Sequence, residues 1–222
     1  MSPGTVAVKR LACIGLVLVL LVGACRRLGG GVAGSGVVKS ELRSVEPFSE
    51  VVFEGGGHLT LTIGPAQSLS VTADDNILPL METTVVNRRL HVRPAAPIRP
   101  DVVPSVSAVL PDLTYVLLDG AADATVDGLA NESLTVEVDG AGQVDLSGRT
   151  GSFTVDSKGT GLIDARGLEA RAVVVRLTGA GVAHVHATER LDVTINGIGA
   201  VTYQGAPTVT KQILGAGSVS QR

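Results

Sequence analysis

A glycine recurs at nearly constant spacing through the second half of the chain, and this repeat limits the fold more than any other feature. Successive intervals are 20, 19, 20, 18 and 18 residues, and the glycines are Gly120, Gly140, Gly159, Gly179, Gly197 and Gly215. A fixed period of this kind indicates an architecture in which similar units stack on one another. The sequence therefore predicts six regular repeats within residues 111–222.

Apolar and polar residues alternate on both sides of each repeated glycine. At six, four and two residues before it, and four and six after it, 26 of 30 positions are apolar; the exceptions are Thr114, Ser157, Lys211 and Gln221. At the intervening positions, only 4 of 24 residues are apolar. A period of two predicts a strand on each side of a turn, and glycine suits a sharp corner because it lacks Cβ.

We predict an all-β fold of the parallel β-helix or β-solenoid type, with 18–20 residues per coil. The period is nearly constant, the apolar positions stay in phase across the glycine, and a small residue recurs inward at Ala124 and Ala183. Coils stacked about 4.8 Å apart would bury a thin aliphatic core. A meander of hairpins also uses strand-turn-strand units and is the structural alternative.

The preceding segment, residues 38–110, shows strand patterns without a fixed period. Residues 50–53 and 58–63 alternate, and three consecutive glycines at 55–57 separate them. We interpret this segment as irregular N-terminal β coils or a cap on the same core, so that the β-solenoid domain spans residues 38–222. A separate domain is the alternative.

The first 24 residues have the features of an export signal. Lys9 and Arg10 precede an apolar run at 11–22, which is too short to span a bilayer because a spanning helix needs about 20 residues. Small residues stand directly before Cys25, which resembles the lipobox of bacterial lipoproteins. That resemblance implies a lipoprotein signal peptide at 1–24, cleavage before Cys25, and acylation of its thiol.

Residues 25–37 are rich in glycine and predict a flexible tether between the lipid and the domain. The expected location is the cell envelope, exported and membrane-anchored on a periplasmic or surface face. Arg26 stands where an inner-membrane retention signal commonly has Asp, which favours an outer membrane where one exists. An ordinary signal peptide with a coincidental cysteine, or a short membrane anchor, is the alternative.

Composition excludes several classes of function. Aromatic residues make up only 2% of the chain and the net charge is −3, so neither stacking platforms nor a basic surface for nucleic acid is present. Two cysteines cannot build a disulfide framework or a four-thiolate zinc site. The sequence indicates no cofactor.

Several short motifs occur in order along the chain. They are Phe48 in the entry segment, the run Val71-Thr72-Ala73-Asp74-Asp75-Asn76, and the turns Leu118-Asp119-Gly120-Ala121-Ala122, Val138-Asp139-Gly140-Ala141-Gly142 and Ile195-Asn196-Gly197-Ile198-Gly199. Together with the lipobox, they resemble the head GIN domain family over roughly residues 44–205. The resemblance implies a β-helical or β-solenoid envelope protein, labelled an auto-transporter adhesin, with no established activity and no catalytic residues to carry over.

Three polar residues share the position directly before a repeated glycine: Asp119, Asp139 and Asn196. Such residues commonly cap a turn through backbone hydrogen bonds. Carboxylates on neighbouring coils could also serve as acid and base in glycoside cleavage, and Lys158 could pair with Asp139.

Two histidines, His184 and His186, share one strand face at a spacing that suits a metal, but no third ligand stands near them in sequence. We therefore predict no metal site and no catalytic residue. The favoured function is a non-catalytic, lipid-anchored β-solenoid scaffold for adhesion or for contacts with an envelope protein or glycan. The alternative is a carbohydrate-active β-helix enzyme using Asp119 and Asp139. The oligomeric state is left open.

Overall fold

Almost all of the described chain is β-structure. The computed structural model describes residues 30–222, so the predicted signal peptide and Cys25 lie outside the described residues. The strands are β1 (Val32–Ala33), β2 (Val38–Leu42), β3 (Glu50–Ile63), β4 (Ser68–Asp74), β5 (Met81–Val86), β6 (Arg89–Pro94), β7 (Ile98–Arg99), β8 (Ser105–Leu110), β9 (Tyr115–Ser157), β10 (Thr160–Gln204) and β11 (Thr208–Gln221). A 3₁₀ turn covers Leu78–Leu80, and no helix within residues 30–222 is long and apolar enough to cross a membrane.

The repeats stack in parallel, and we number them 1 to 6 after their glycines, from Gly120 to Gly215. Strand β9 pairs in parallel with β3 and with β10, and β10 pairs in parallel with β11. Gly197 lies opposite Gly215 across the last of these pairings. Hairpins would pair antiparallel, so a meander does not describe this half of the chain. The sheet is an open path from β11 to β2 and not a closed barrel.

The glycines lie directly over one another because the turns of successive repeats approach too closely for a side chain. Gly140 has φ +142°, and a Cβ built on it would lie 2.0 Å from the carbonyl oxygen of Gly120. A Cβ on Gly159 would lie 1.8 Å from the carbonyl oxygen of Gly140. The regular spacing in the sequence therefore reflects a column of backbone contacts at one corner of every repeat.

One apolar core runs through the described residues. The inward positions predicted from alternation are buried in repeats 1 to 5, with Thr114 and Tyr203 half-buried at its margin. The sixth repeat differs, since Val209, Ile213 and Val219 are only partly buried and Lys211 is exposed. Residues 32–222 form a single unit around this core.

The less regular N-terminal part shares the sheet and the core with the repeats. Strand β3 lies between β9 on one side and β6 and β8 on the other, and all three pairings are parallel. Gly55 lies opposite Gly120, so the glycine column begins one layer before the six repeats that the sequence predicts. Antiparallel strands β2, β4 and β5 complete this end.

The predicted tether, 25–37, ends earlier than its composition suggests. Within it, β1 pairs with β7, and the Gly36 N–H donates to the Asp74 carboxylate at 2.7 Å. Gly34 fits there because a Cβ would lie 2.5 Å from Asp74 Oδ2. Glycine in this stretch allows close packing, so residues from 32 onward belong to the folded domain.

Candidate functional site

The residues singled out before the glycine turns lie in one column on the outer surface. Asp119 and Asp139 belong to neighbouring repeats 1 and 2, whereas Asn196 belongs to repeat 5 and is paired with Leu214 of repeat 6. All three side chains are exposed. The structure thus brings the two aspartates together and leaves Asn196 three repeats beyond Asp139.

Neither of the contacts expected for this column is formed. Within residues 30–222, the side chains of Asp119, Asp139 and Asn196 make no hydrogen bond or ion pair, so they do not cap the turns. Lys158 occupies the next repeat but does not pair with Asp139. The column therefore consists of exposed side chains that no polar contact holds in a fixed orientation.

A different outer surface carries a cluster of polar side chains that are hydrogen-bonded to one another. It lies on the strand segments that follow the glycine corners, and we call it the carboxylate groove. Its volume is about 270 Å³, and its polar lining consists of Asp127, Asp145, Ser147, Asp164 and Arg166. Asp145 and Asp164 lie opposite each other in parallel register. Three carboxylates and one guanidinium therefore share a surface spanning three repeats.

Hydrogen bonds fix the orientation of these side chains. Ser147 Oγ donates to Asp127 Oδ1 at 2.8 Å, which links repeats 1 and 2. Gln143 Nε2 donates to Asp145 Oδ2 at 2.9 Å, and Arg166 Nε donates to Asp164 Oδ1 at 2.8 Å. The groove is therefore ordered before any ligand binds, which lowers the entropic cost of recognition.

A β-bulge in β10 positions the only cation of the groove. The register between β9 and β10 shifts between Asp164 and Gly167, so one extra residue is accommodated there. A bulge redirects the side chains beside it, and Arg166 turns back onto Asp164. The hydrogen bond from Arg166 lowers the pKa of Asp164 although partial burial opposes it, and the pair raises the pKa of Arg166 in return.

The two histidines do not form a metal centre. His184 Nδ1 shares a hydrogen bond with Thr202 Oγ1 of the next repeat, while His186 lies two residues further along the same strand face. Among residues 30–222, no group of three or more His, Cys, Asp or Glu side chains is placed to hold a metal ion. The groove can instead accept hydrogen bonds from hydroxyl or ammonium groups.

The apolar alternation places Asp145 and Asp164 at the same outward position of neighbouring repeats, where the sequence predicts only solvated charges. The sequence does not predict the groove, because the β-bulge leaves no trace in the alternation of apolar and polar residues. The sequence feature that could have indicated the bulge is Arg166-Gly167, a charged residue followed by glycine. It stands where one repeat has an extra residue relative to its neighbour.

The ordered repeats, the glycine column and the motif residues agree with a family model described as "putative auto-transporter adhesin, head GIN domain", which matches residues 47–207. The chain belongs to the head GIN domain family. The adhesin label of this family indicates an extracellular or cell-envelope protein and favours a non-enzymatic role. No protein of curated function matches the chain.

Solved structures support the fold of this head GIN domain. A "putative adhesin" from Bacteroides fragilis has a TM-score of 0.71 at 23% identity, covering 86% of this chain and 100% of the other. A "putative adhesin" from Parabacteroides merdae has a TM-score of 0.56 at 21% identity, covering 86% and 99%. A "putative lipid binding protein" from Parabacteroides distasonis has a TM-score of 0.52 at 21% identity, covering 87% and 100%.

The head GIN motif at residues 71–76 has a structural task that the sequence did not reveal. The Asp74 carboxylate is buried and accepts hydrogen bonds from the backbone N–H groups of Gly36, Asp101 and Val102 at 2.7, 3.1 and 3.1 Å. Burial alone would raise the pKa of Asp74, but these hydrogen bonds lower it below its ordinary value. Through Asp74, the motif therefore holds the first residues of the domain, around Gly36, in place.

Proposed function

We propose that this head GIN domain is a non-catalytic β-solenoid scaffold, anchored by lipid in the cell envelope, that presents a rigid polar surface to an envelope protein or glycan. The observation that carries the proposal is the parallel stacking of repeats with glycines in one column and aliphatic residues inside. Such stacking holds outward side chains at fixed intervals of about 4.8 Å, which suits the repeating groups of a polymer.

The chemistry of the groove supports binding over catalysis. Glycoside hydrolysis requires one carboxyl group that keeps a proton at the working pH. The Arg166 hydrogen bond keeps Asp164 ionised, and Asp119 and Asp139 lie exposed without partners. Hydroxyl groups of a sugar or ammonium groups of a protein would instead find preoriented acceptor oxygens at Asp127, Asp145 and Asp164.

Lipid anchoring at Cys25 supplies the location in this proposal. Several acyl chains hold a protein on a bilayer where a single chain would be marginal. The Cys25→Ser variant should leave the membrane fraction and carry no labelled fatty acid in a fractionation experiment, whereas the wild type should stay with the membranes and carry the label. Detergent-resistant retention of that variant in membranes, or wild-type protein without label, would contradict lipidation.

Two double variants, which remove the same number of negative charges, test whether the carboxylate groove is the contact surface. Asp127→Asn with Asp145→Asn alters the groove, while Glu132→Gln with Glu169→Gln alters exposed carboxylates on another surface. Binding to purified envelope polysaccharide and to detergent-solubilised envelope proteins is measured for the full mature chain by biolayer interferometry. We expect the groove variant to lose at least about tenfold in affinity, or about 1.4 kcal/mol, while the matched variant binds as wild type does. Equal binding by both variants would contradict a role for the groove.

The same samples test the enzymatic alternative. A scaffold should release no new reducing ends from the polysaccharide, and Asp139→Asn should change nothing. Turnover that Asp139→Asn abolishes, with the fold retained, would overturn the non-catalytic proposal and restore Asp119 and Asp139 as an acid and base pair.

A further inference from the structure

Exposed apolar side chains are concentrated at one end of the sheet. Nine large apolar residues are exposed within residues 30–222, and five of them form what we call the N-terminal apolar edge: Val32, Val37, Val38, Leu42 and Val103. They lie on β1, in the segment between β1 and β2, on β2 and in the loop that follows β7. Strand β2 is the outermost strand of the sheet, at the opposite end from β11. The apolar edge therefore coincides with the end at which the chain enters the domain.

The contacts of Asp74 hold this edge together. Val37 follows Gly36, and Val103 follows Val102, and both preceding residues donate a backbone N–H to the Asp74 carboxylate. Val38 lies directly opposite Asp74 in the pairing of β2 with β4. Leu42 continues the same face of β2, because residues four apart on a strand point the same way. The apolar side chains thus extend from a rigid, buried anchor and not from a loose loop.

The length of chain before the edge limits its distance from a lipid anchor. Cys25 lies seven residues before Val32. At 3.3–3.6 Å per residue, a fully extended link reaches at most about 25 Å. Acyl chains on Cys25 would therefore keep the N-terminal apolar edge close to the bilayer surface, where burial of valine and leucine side chains is favourable.

We propose that the N-terminal apolar edge rests in the interfacial layer of the lipid bilayer, so that repeats 1 to 6 project away from the membrane and expose the carboxylate groove. This inference rests on the proposed lipidation of Cys25. Along β2 itself, the one cation, Lys39, is balanced by the one anion, Glu41, so the contact depends on apolar burial and does not require anionic lipid.

Two variants of the mature, lipidated chain, each with one added cysteine, test this orientation. Leu42→Cys places a thiol on the edge, and Ile198→Cys places one in repeat 5; the native side chains are 80% and 67% exposed, so neither change should disturb the core. Repeat 5 lies eight strand spacings from β2, about 38 Å at 4.8 Å per spacing. Cys13 would be removed with the predicted signal peptide and the Cys25 thiol would be acylated, so neither would compete for the label. Each variant carries a bimane label and is reconstituted in phosphatidylcholine vesicles with brominated acyl chains.

Bromine quenches only labels that approach the acyl region. We expect the label at Leu42→Cys to be quenched at least about threefold more than the label at Ile198→Cys, because an interfacial side chain lies within about 10 Å of the acyl boundary. The difference should persist at high salt. Protein that floats with the vesicles but shows equal quenching of both labels overturns the orientation and leaves lipidation intact.

Two further outcomes would overturn different parts of the proposal. Protein that stays in the aqueous fraction overturns the lipid anchor and the orientation together. A label at Leu42→Cys that is shielded from aqueous iodide but not quenched by brominated lipid overturns the lipid contact and indicates that a second copy of the chain covers the edge.

Discussion

The repeats and the N-terminal end of the domain share one core but are held together in opposite ways. In repeats 1 to 6, parallel backbone contacts and aliphatic burial recur from one layer to the next, so that each contact has close equivalents. At the N-terminal end, antiparallel strands meet around a single buried carboxylate, Asp74, that bonds Gly36 and Asp101 across 38 and 27 residues of sequence. The repeats rely on redundancy, whereas the end relies on a few unique contacts.

This difference predicts how damage spreads. A disrupted inward position in the middle of the repeats breaks the continuity of the core, because each repeat contacts only its neighbours. A disrupted contact at the N-terminal end should release a local segment and leave the stacked repeats folded. The following substitutions test that contrast from the largest effect to the smallest.

The largest effect is expected for Val175→Asp in repeat 4. Val175 is fully buried, so an unpaired carboxylate there should cost more than about 4 kcal/mol and prevent folding. The matched change Val174→Asp, at the adjacent half-buried outward position, should cost about 1 kcal/mol or less. Circular dichroism and urea melts compare the two, and similar midpoints would contradict the inward and outward assignment.

A large effect is also expected for Gly140→Ala in the glycine column. The new Cβ would lie 2.0 Å from the Gly120 carbonyl oxygen at a positive φ, so the neighbouring repeats must separate. We expect a loss of roughly 3 kcal/mol in the free energy of unfolding. Gly181→Ala is the control, because its Cβ would lie 3.5 Å from the Gly161 carbonyl oxygen, and it should be nearly neutral. Comparable losses for both would show that the column tolerates side chains.

An intermediate and local effect is expected for Asp74→Asn. The amide keeps the shape but cannot accept three N–H bonds as a carboxylate does, so the segment around Gly36 should open while the repeats stay folded. Hydrogen exchange should accelerate at Gly36, Asp101 and Val102 and remain slow in β10. Global unfolding of the variant would remove the distinction between the two regions.

The pKa of Asp74 adds a pH dependence to this prediction. Because the folded-state pKa is lowered, the carboxylate contributes its stabilisation fully above its unfolded pKa. That contribution is lost as the pH falls through the folded value. Acidification of the wild type should therefore reproduce the exchange pattern of Asp74→Asn, and the variant itself should show no such acid-induced step at these amides.

The two regions also differ in how much of them sequence reasoning could predict. The positions of the repeats, their inward residues and the glycine corners follow from local alternation and a constant period, and the structure agrees at Leu134, Val136 and Val138. The contacts of Asp74 join residues far apart in sequence with no period to reveal them. The sequence did not predict the groove at Arg166 for a related reason. The β-bulge there shifts the pairing of neighbouring strands, and the alternation of apolar and polar residues does not reveal such a shift.

Gly55 shows where the sequence stops predicting the stacking of layers. It belongs to the glycine column, opposite Gly120, but 65 residues separate them in place of about 20. Because β4 to β8 are inserted between these layers, the period is lost, and the sequence indicates only a strand with a glycine-rich break for the first layer. A period reveals stacking only where consecutive layers are also consecutive in sequence.

The smallest effect is expected where a single repeat departs from the aliphatic pattern. Ser157 is buried at a position that is Leu118, Val138, Leu177 and Ile195 in other repeats, and its hydroxyl has no hydrogen-bond partner within the described part of the chain. Ser157→Ala should therefore stabilise the domain by about 1 kcal/mol, by removing an unsatisfied buried group. Thr150→Val is the comparison, since the Thr150 hydroxyl donates to the Ser152 carbonyl oxygen at 3.2 Å, and it should destabilise by about 1 kcal/mol. The midpoint of guanidinium denaturation is measured for both variants. Midpoints that shift in the same direction would show that a hydrogen-bond partner does not decide how a buried hydroxyl in the repeats affects stability.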